Sequence, residues 1–61
     1  MAAKLLSGRR ILVVEDEAMI RMFIEDILIG LGACVAAASS VDRALALTDA
    51  QVFDAALLDV T

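Results

Sequence analysis

The chain has no histidine, tryptophan or tyrosine, one cysteine and two phenylalanines among its 61 residues. With Cys34 alone and no histidine to join it, neither an intramolecular disulfide nor a multi-cysteine metal site can be assembled. Cys34 lies among Ala33, Val35 and Ala36 with no nearby base to generate a thiolate, so it is expected to be a small buried apolar residue. Basic residues are scarce too. Lys4, Arg9, Arg10, Arg21 and Arg43 are scattered along a chain of net charge −4, so no basic stripe exists to track a phosphate backbone, which argues against direct nucleic-acid binding. Long apolar runs are also missing: Glu15, Asp16, Arg21, Glu25 and Asp26 break up the first half well below the roughly 18 residues a membrane span needs. Lys4 followed by a short Leu5-Leu6 pair is not a signal peptide, and a cytoplasmic location is expected.

What is present is a 62% hydrophobic composition rich in alanine and leucine, with the charges gathered at particular points, which indicates a compact core rather than disorder. A chain of this length makes one domain at most. It buries only about 60% of the surface its unfolded form exposes, so its stability is expected to be marginal.

The chain divides cleanly. After a tail over residues 1–8, the run Arg9-Arg10-Ile11-Leu12-Val13-Val14 turns abruptly acidic at Glu15-Asp16-Glu17. Continuous β-branched and leucine content predicts a strand buried on both faces, as in a parallel sheet, with the acids just past its C-terminal end. Over residues 18–31 the positions of Ile20, Phe23, Ile24, Ile27, Leu28 and Leu31 predict one apolar helix face, and Gly32 supplies the left-handed residue that stops a helix. The N-terminus of that helix adjoins the acids, where its dipole favours negative charge. Residues 33–37 fit a second strand. Ser39 or Ser40 can cap a second helix over Val41–Ala50, with Val41, Ala44, Leu45 and Thr48 facing inward, and a turn over residues 51–54 leads to a third strand ending at Asp59.

Strand, helix, strand, helix, strand is an α/β order, and right-handed crossovers make the three strands parallel. The first and third then end on the same edge, so Glu15, Asp16 and Asp59 are expected to meet where open α/β sheets place their sites. Three carboxylates there repel one another and call for a counter-charge. Oxygen ligands alone suit Mg²⁺, which takes one or two carboxylates, retained waters and phosphate oxygens. Beside such an ion a carboxylate can act as a nucleophile toward phosphorus. Asp59, alone at its strand end, is the natural nucleophile, and the Glu15-Asp16 pair is the natural metal holder. Spacing alone reaches an acidic divalent-metal site.

The segment Ile11-Leu12-Val13-Val14-Glu15-Asp16-Glu17, the apolar helix ending in Leu31-Gly32, and the segment Phe53-Asp54-Ala55-Ala56-Leu57-Leu58-Asp59-Val60 together resemble bacterial two-component response-regulator receiver domains. The resemblance runs without a gap over residues 9–61, which it identifies with the N-terminal half of such a domain. It implies a flavodoxin-like three-layer fold of strand order 2-1-3-4-5, here covering β-α-β-α-β. It also implies phosphorelay signal transduction, in which a sensor histidine kinase or phosphotransfer protein passes a phosphoryl group to Asp59. By motif position, Asp16 looks like a direct Mg²⁺ ligand, Glu15 like the acid that holds the metal through water, and Thr61 like the residue whose backbone carbonyl completes coordination. The family is about twice this long, and its switch hydroxyl, phosphoryl-pairing lysine and reporter aromatic have no counterpart in residues 9–61. Lys4 cannot stand in for that lysine, because it precedes Ile11 by seven positions, toward the opposite end of the strand. Phosphoryl acceptance is therefore expected once the rest of the domain is supplied.

A different class of function, a self-associating or kinase- or receiver-binding half-domain without phosphoryl chemistry, fits the same residues. A flavin or nucleotide binder does not, since the turn Glu15-Asp16-Glu17 has no glycine or hydroxyl cluster to cradle phosphate. A homo-oligomer is expected from either function. The third strand, without a fourth beside it, presents Ala55, Ala56, Leu57 and Leu58 as an apolar edge, and a two-fold axis perpendicular to the sheet would give strand order 2-1-3-3-1-2. Met22 and Ile29, opposite the expected inward stripe of the first helix, offer helix pairing as the alternative geometry.

Overall fold

The computed structural model describes residues 4–59 and shows a three-layer α/β arrangement. The order is β1 (Arg10–Glu15), α1 (Ala18–Gly30), β2 (Cys34–Ala38), α2 (Val41–Ala50) and β3 (Ala55–Asp59). The sheet is parallel, in the order β2-β1-β3, the arrangement of the first three strands of a flavodoxin-like fold.

β1 takes the central place, and its large apolar side chains are buried on both faces. Ile11, Leu12, Val13 and Val14 are each at most 6% exposed. Their alternation sends Ile11 and Val13 to one side, where they pack with Leu28, Ala33, Ile24, Val35 and Ala37, and Leu12 and Val14 to the other, where they pack with Ala38, Ala44, Leu47 and Phe53. Two thin cores thus share one strand. Arg10 fixes the entry of β3: its amide donates to Asp54 Oδ2 at 2.8 Å, its carbonyl accepts from the Asp54 amide at 2.7 Å, and its guanidinium donates to the Gln51 side chain. Ser40, of the two candidate serines, caps α2 by accepting the Arg43 amide at 3.2 Å.

Four expectations change. Residues 4–8 are not a loose tail: the Leu6 amide donates to the Leu31 carbonyl at 2.9 Å, the Gly8 amide to the Gly32 carbonyl at 3.3 Å, and Leu6 packs against the α1-side core. Gly32 ends α1 as expected, at φ +96°. A Cβ there would also lie 2.9 Å from Lys4 Cβ and 3.1 Å from Ser7 Cα, so the N-terminal turn needs this glycine as much as the helix does.

The second change concerns α1, which lies over β1 and β2 and makes no contact with β3 among the described residues. Its buried side is Leu28 with Ile24 and Leu31 beside it. Ile20, Phe23 and Ile27, expected to face inward, are exposed, because the sheet stops short of that flank of the helix. In the same way α2 turns Ala44 and Leu47 inward and leaves Val41, Leu45 and Thr48 exposed, the Thr48 hydroxyl donating to the Leu45 carbonyl at 2.8 Å. Finally, Cys34 is exposed rather than buried, since it opens an edge strand opposite the exposed Arg10, beyond the reach of α2.

These placements separate residues of similar hydrophobicity. Leu28→Ala should lower stability by about 2–5 kcal/mol, and Phe23→Ala by less than about 0.5 kcal/mol, in urea denaturation followed by circular dichroism. A large loss for Phe23→Ala would mean that its face of α1 is covered. Native Cys34 should react with a bulky thiol reagent at a rate close to that of the unfolded chain, and strong protection would contradict its exposure.

Candidate functional site

β1 and β3 run in parallel register, Ile11 against Ala55 through Glu15 against Asp59, so the last residue of each strand is an acid and the two acids are neighbours. Residues level with each other in a parallel pair point to the same face. Both carboxylates therefore emerge on the α1 side of the sheet.

Glu15 is the unusual member of the pair. It is 3% exposed, the only buried charged side chain among the described residues. One carboxylate oxygen, Oε2, accepts the Glu17 amide at 3.0 Å, an interaction made available because Glu17 precedes the first turn of α1 and its N–H lies outside the helical ladder. The other oxygen, Oε1, is buried without a hydrogen-bond partner among the described residues. A polar atom held this way is destabilising unless something satisfies it.

The surroundings of Glu15 oppose its ionisation. The hydrogen bond from the Glu17 amide lowers the carboxyl pKa, but burial, the adjoining Asp16 carboxyl, and the negative charges of Asp59 and Asp16 outweigh it and hold Glu15 above the ordinary value of 4.5. Asp16 and Asp59 themselves are exposed. Sequence reasoning did not single out Arg21, whose guanidinium Nη1 donates to the Glu15 backbone carbonyl at 2.8 Å. A lone cation one helical turn after Glu17, in an otherwise apolar stretch, was the available signal.

The structure thus brings Glu15 and Asp59 together and keeps Asp16 beside them. The expected carbonyl ligand, Thr61, lies outside the described residues. No three acidic, histidine or cysteine side chains among the described residues are placed to hold a metal ion together. Mg²⁺ is commonly held by one or two carboxylates and keeps several waters. The buried Oε1 is a hard oxygen donor without a hydrogen-bond partner among the described residues, on the edge where two further carboxylates are exposed to solvent.

The raised pKa of Glu15 has a definite sign in stability. Between 4.5 and the higher folded value the native state binds more protons than the unfolded one, so Glu15's contribution weakens as pH rises through that interval. Glu15→Gln should therefore remove a downward slope in the urea midpoint above pH 4.5 and should match or exceed the native chain in stability at neutral pH in chelator. A variant less stable than the native chain at every pH would mean that the charge is compensated.

No protein-family model, curated protein or solved structure matches this chain.

Proposed function

We propose that residues 9–61 act as the N-terminal half of a receiver domain in two-component signalling, in which Asp59 accepts a phosphoryl group from a phosphohistidine of a sensor histidine kinase or phosphotransfer protein. The observation that supports this reading most directly is the pairing of a buried, half-satisfied Glu15 with an exposed Asp59 at the matched ends of two parallel strands. A buried carboxylate oxygen without a hydrogen-bond partner, beside two like charges, is a group that a bound cation would relieve.

Glu15 and Asp16, with Asp59, are the residues that would hold Mg²⁺. The ion supplies neutralisation of the phosphoryl oxygens as charge builds on them. Asp59 contributes the nucleophile: a carboxylate oxygen forms the new bond to phosphorus while the bond from phosphorus to the donor nitrogen breaks, leaving an acyl phosphate on Asp59 and a neutral imidazole once a proton reaches the departing nitrogen. Exposure of Asp59 at the sheet edge lets a donor approach along the strand direction, and the β1–β3 ladder holds its backbone still while that happens. Arg21 fixes the carbonyl of Glu15 and with it the direction in which the Glu15-Asp16 turn leaves the sheet. The reading places the protein in the cytoplasm, as a regulatory phosphoryl acceptor rather than an enzyme acting on a separate substrate. Self-association is a further part of this reading, since β3 is exposed and has β1 as its one partner strand among the described residues.

Two measurements test the reading. Mn²⁺ or Mg²⁺ should bind weakly, and Asp16→Asn and Asp59→Asn should each reduce the affinity by about tenfold, the order expected for loss of one charged ligand. Unchanged affinity in both variants removes the site from consideration. Incubation with a small phosphoramidate donor in Mg²⁺, followed by intact mass, should show gain of one phosphoryl group that disappears in Asp59→Asn. If that gain is absent even with the remaining half of a receiver supplied in trans, the phosphoryl reading fails.

A further inference from the structure

β2 has β1 as its one neighbour among the described residues, and its other edge is open. β2 lies inside the chain, between α1 and α2, and a further strand beside β3 would leave this edge untouched. Its backbone pattern follows from the inner pairing. Arg10 is level with Cys34, and the Cys34 amide donates to the Arg9 carbonyl, so Cys34, Ala36 and Ala38 turn their N–H and C=O groups toward β1. Val35 and Ala37 turn theirs outward. Edge strands are commonly guarded by a charge, a proline or a bulge, yet Cys34-Val35-Ala36-Ala37-Ala38 has neither charge nor proline and keeps an unbroken register.

We propose that this edge pairs with its equivalent in a second copy of the chain, antiparallel, about a two-fold axis at Ala36. With the axis there, Val35 meets Ala37 of the other copy in both directions, so each outward-facing residue of β2 exchanges both of its hydrogen bonds. An axis at Val35 sets Ala37 against Ala33, whose amide is already given to the Leu28 carbonyl. An axis at Ala37 sets Val35 against Ser39, beyond the strand. The side chains that meet about Ala36 are small: Ala36 faces its own equivalent and Cys34 faces Ala38, with no charge in either pair.

The helices supply the argument for a second copy over another strand. α2 lies over β1 and β2, so continuing the sheet across the axis at a strand spacing of about 4.8 Å puts the two copies of α2 about 10 Å apart, the distance of packed helices. On that flank is an open cleft of about 300 Å³ lined by Ala37, Arg43, Ala46 and Leu47. The cleft places Ala46 beside the middle of β2, so the same axis passes near Ala46 and sets Arg43 of one copy level with Asp49 of the other. Both charges are misplaced in their own helix. Arg43 lies in the first turn of α2 and Asp49 in the last, each where the helix dipole disfavours its sign. Both side chains are exposed, and neither makes an ion pair among the described residues. The two-fold gives each an opposite charge and the favourable end of a neighbouring dipole, and does so twice. A lone strand on this edge offers neither.

On the opposite face α1 also lies over β1 and β2, and the right-handed crossover turns its Met22 and Ile29 flank toward this edge. These residues are 61% and 54% exposed, and the axis brings two such flanks together. Glu25, on the same flank, opposes the contact because it approaches its own equivalent. The association uses neither metal nor Asp59, so its test is separate from that of phosphoryl acceptance.

The 61-residue chain should sediment as a dimer at high micromolar concentration and dissociate on dilution. Arg43→Asp and Asp49→Arg should each weaken the dimer by at least about tenfold, and the chain carrying both should recover most of that loss. Each single change suits its own end of α2, so the urea midpoint of the dilute monomer should not fall, which separates lost pairing from lost folding. Glu25→Gln should tighten the dimer. In a Cys34→Ala background, Ala36→Cys should oxidise rapidly to a cross-linked dimer, because that residue directly opposes itself, whereas Ala37→Cys, out of line with its equivalent, should not. A monomer with a cooperative unfolding transition at high concentration overturns the proposal. So does a dimer insensitive to both charge reversals, or one in which Ala37→Cys cross-links as fast as Ala36→Cys.

Discussion

β1 must be covered on both faces, and the rest of the molecule follows from that requirement. Four consecutive apolar residues, each nearly inaccessible, cannot be satisfied by one helix, because alternate side chains leave a strand in opposite directions. One helix must therefore lie on each side. Right-handed crossovers deliver α1 to one face while β2 joins one edge, and α2 to the other face while β3 joins the opposite edge. The acids at the end of β1 inherit their setting from this. Glu15 continues the buried alternation by one more residue than its charge favours, and the amide of Glu17 is the group that makes its burial tolerable.

The element order was legible in the sequence because the strands are short continuous apolar runs, the helices carry apolar residues at three-and-four spacing, and residues with specific backbone roles punctuate them: Ser40 at the start of α2, Gly32 after α1. The proximity of Glu15 to Asp59 was also legible, since it follows from parallel strands of similar length and a crossover rule rather than from any side-chain detail. Exposure of Asp59 and the exceptional burial of Glu15 were not. The sequence presents Glu15, Asp16 and Glu17 as three equivalent acids, and only the three-dimensional position of the last β1 residue distinguishes the first of them.

The helix faces were the weakest part of the reading, for a physical reason. Periodicity reports that α1 has an apolar side, but the sheet beneath it is only wide enough to cover part of that side. Ile24 and Leu28 lie over β1 and β2, whereas Ile20, Phe23 and Ile27 overhang the margin. A stripe read from spacing cannot tell how broad its floor will be. Cys34 failed in the same manner, since apolar neighbours along a strand say nothing about whether a helix reaches its first residue. The N-terminal turn was missed because its anchor is a backbone carbonyl, that of Leu31, which has no signature in side-chain pattern.

The bond from Arg21 to the Glu15 carbonyl ties the end of the central strand to the body of α1, six residues further along the chain. A turn between strand and helix is ordinarily a place where the two can pivot independently. Here the guanidinium closes a ring around the turn, so strand end, acidic loop and first helical turn behave as one stiff bracket. The direction in which Glu15 and Asp16 are presented at the sheet edge is therefore tied to the first turn of α1 and not to the loop alone.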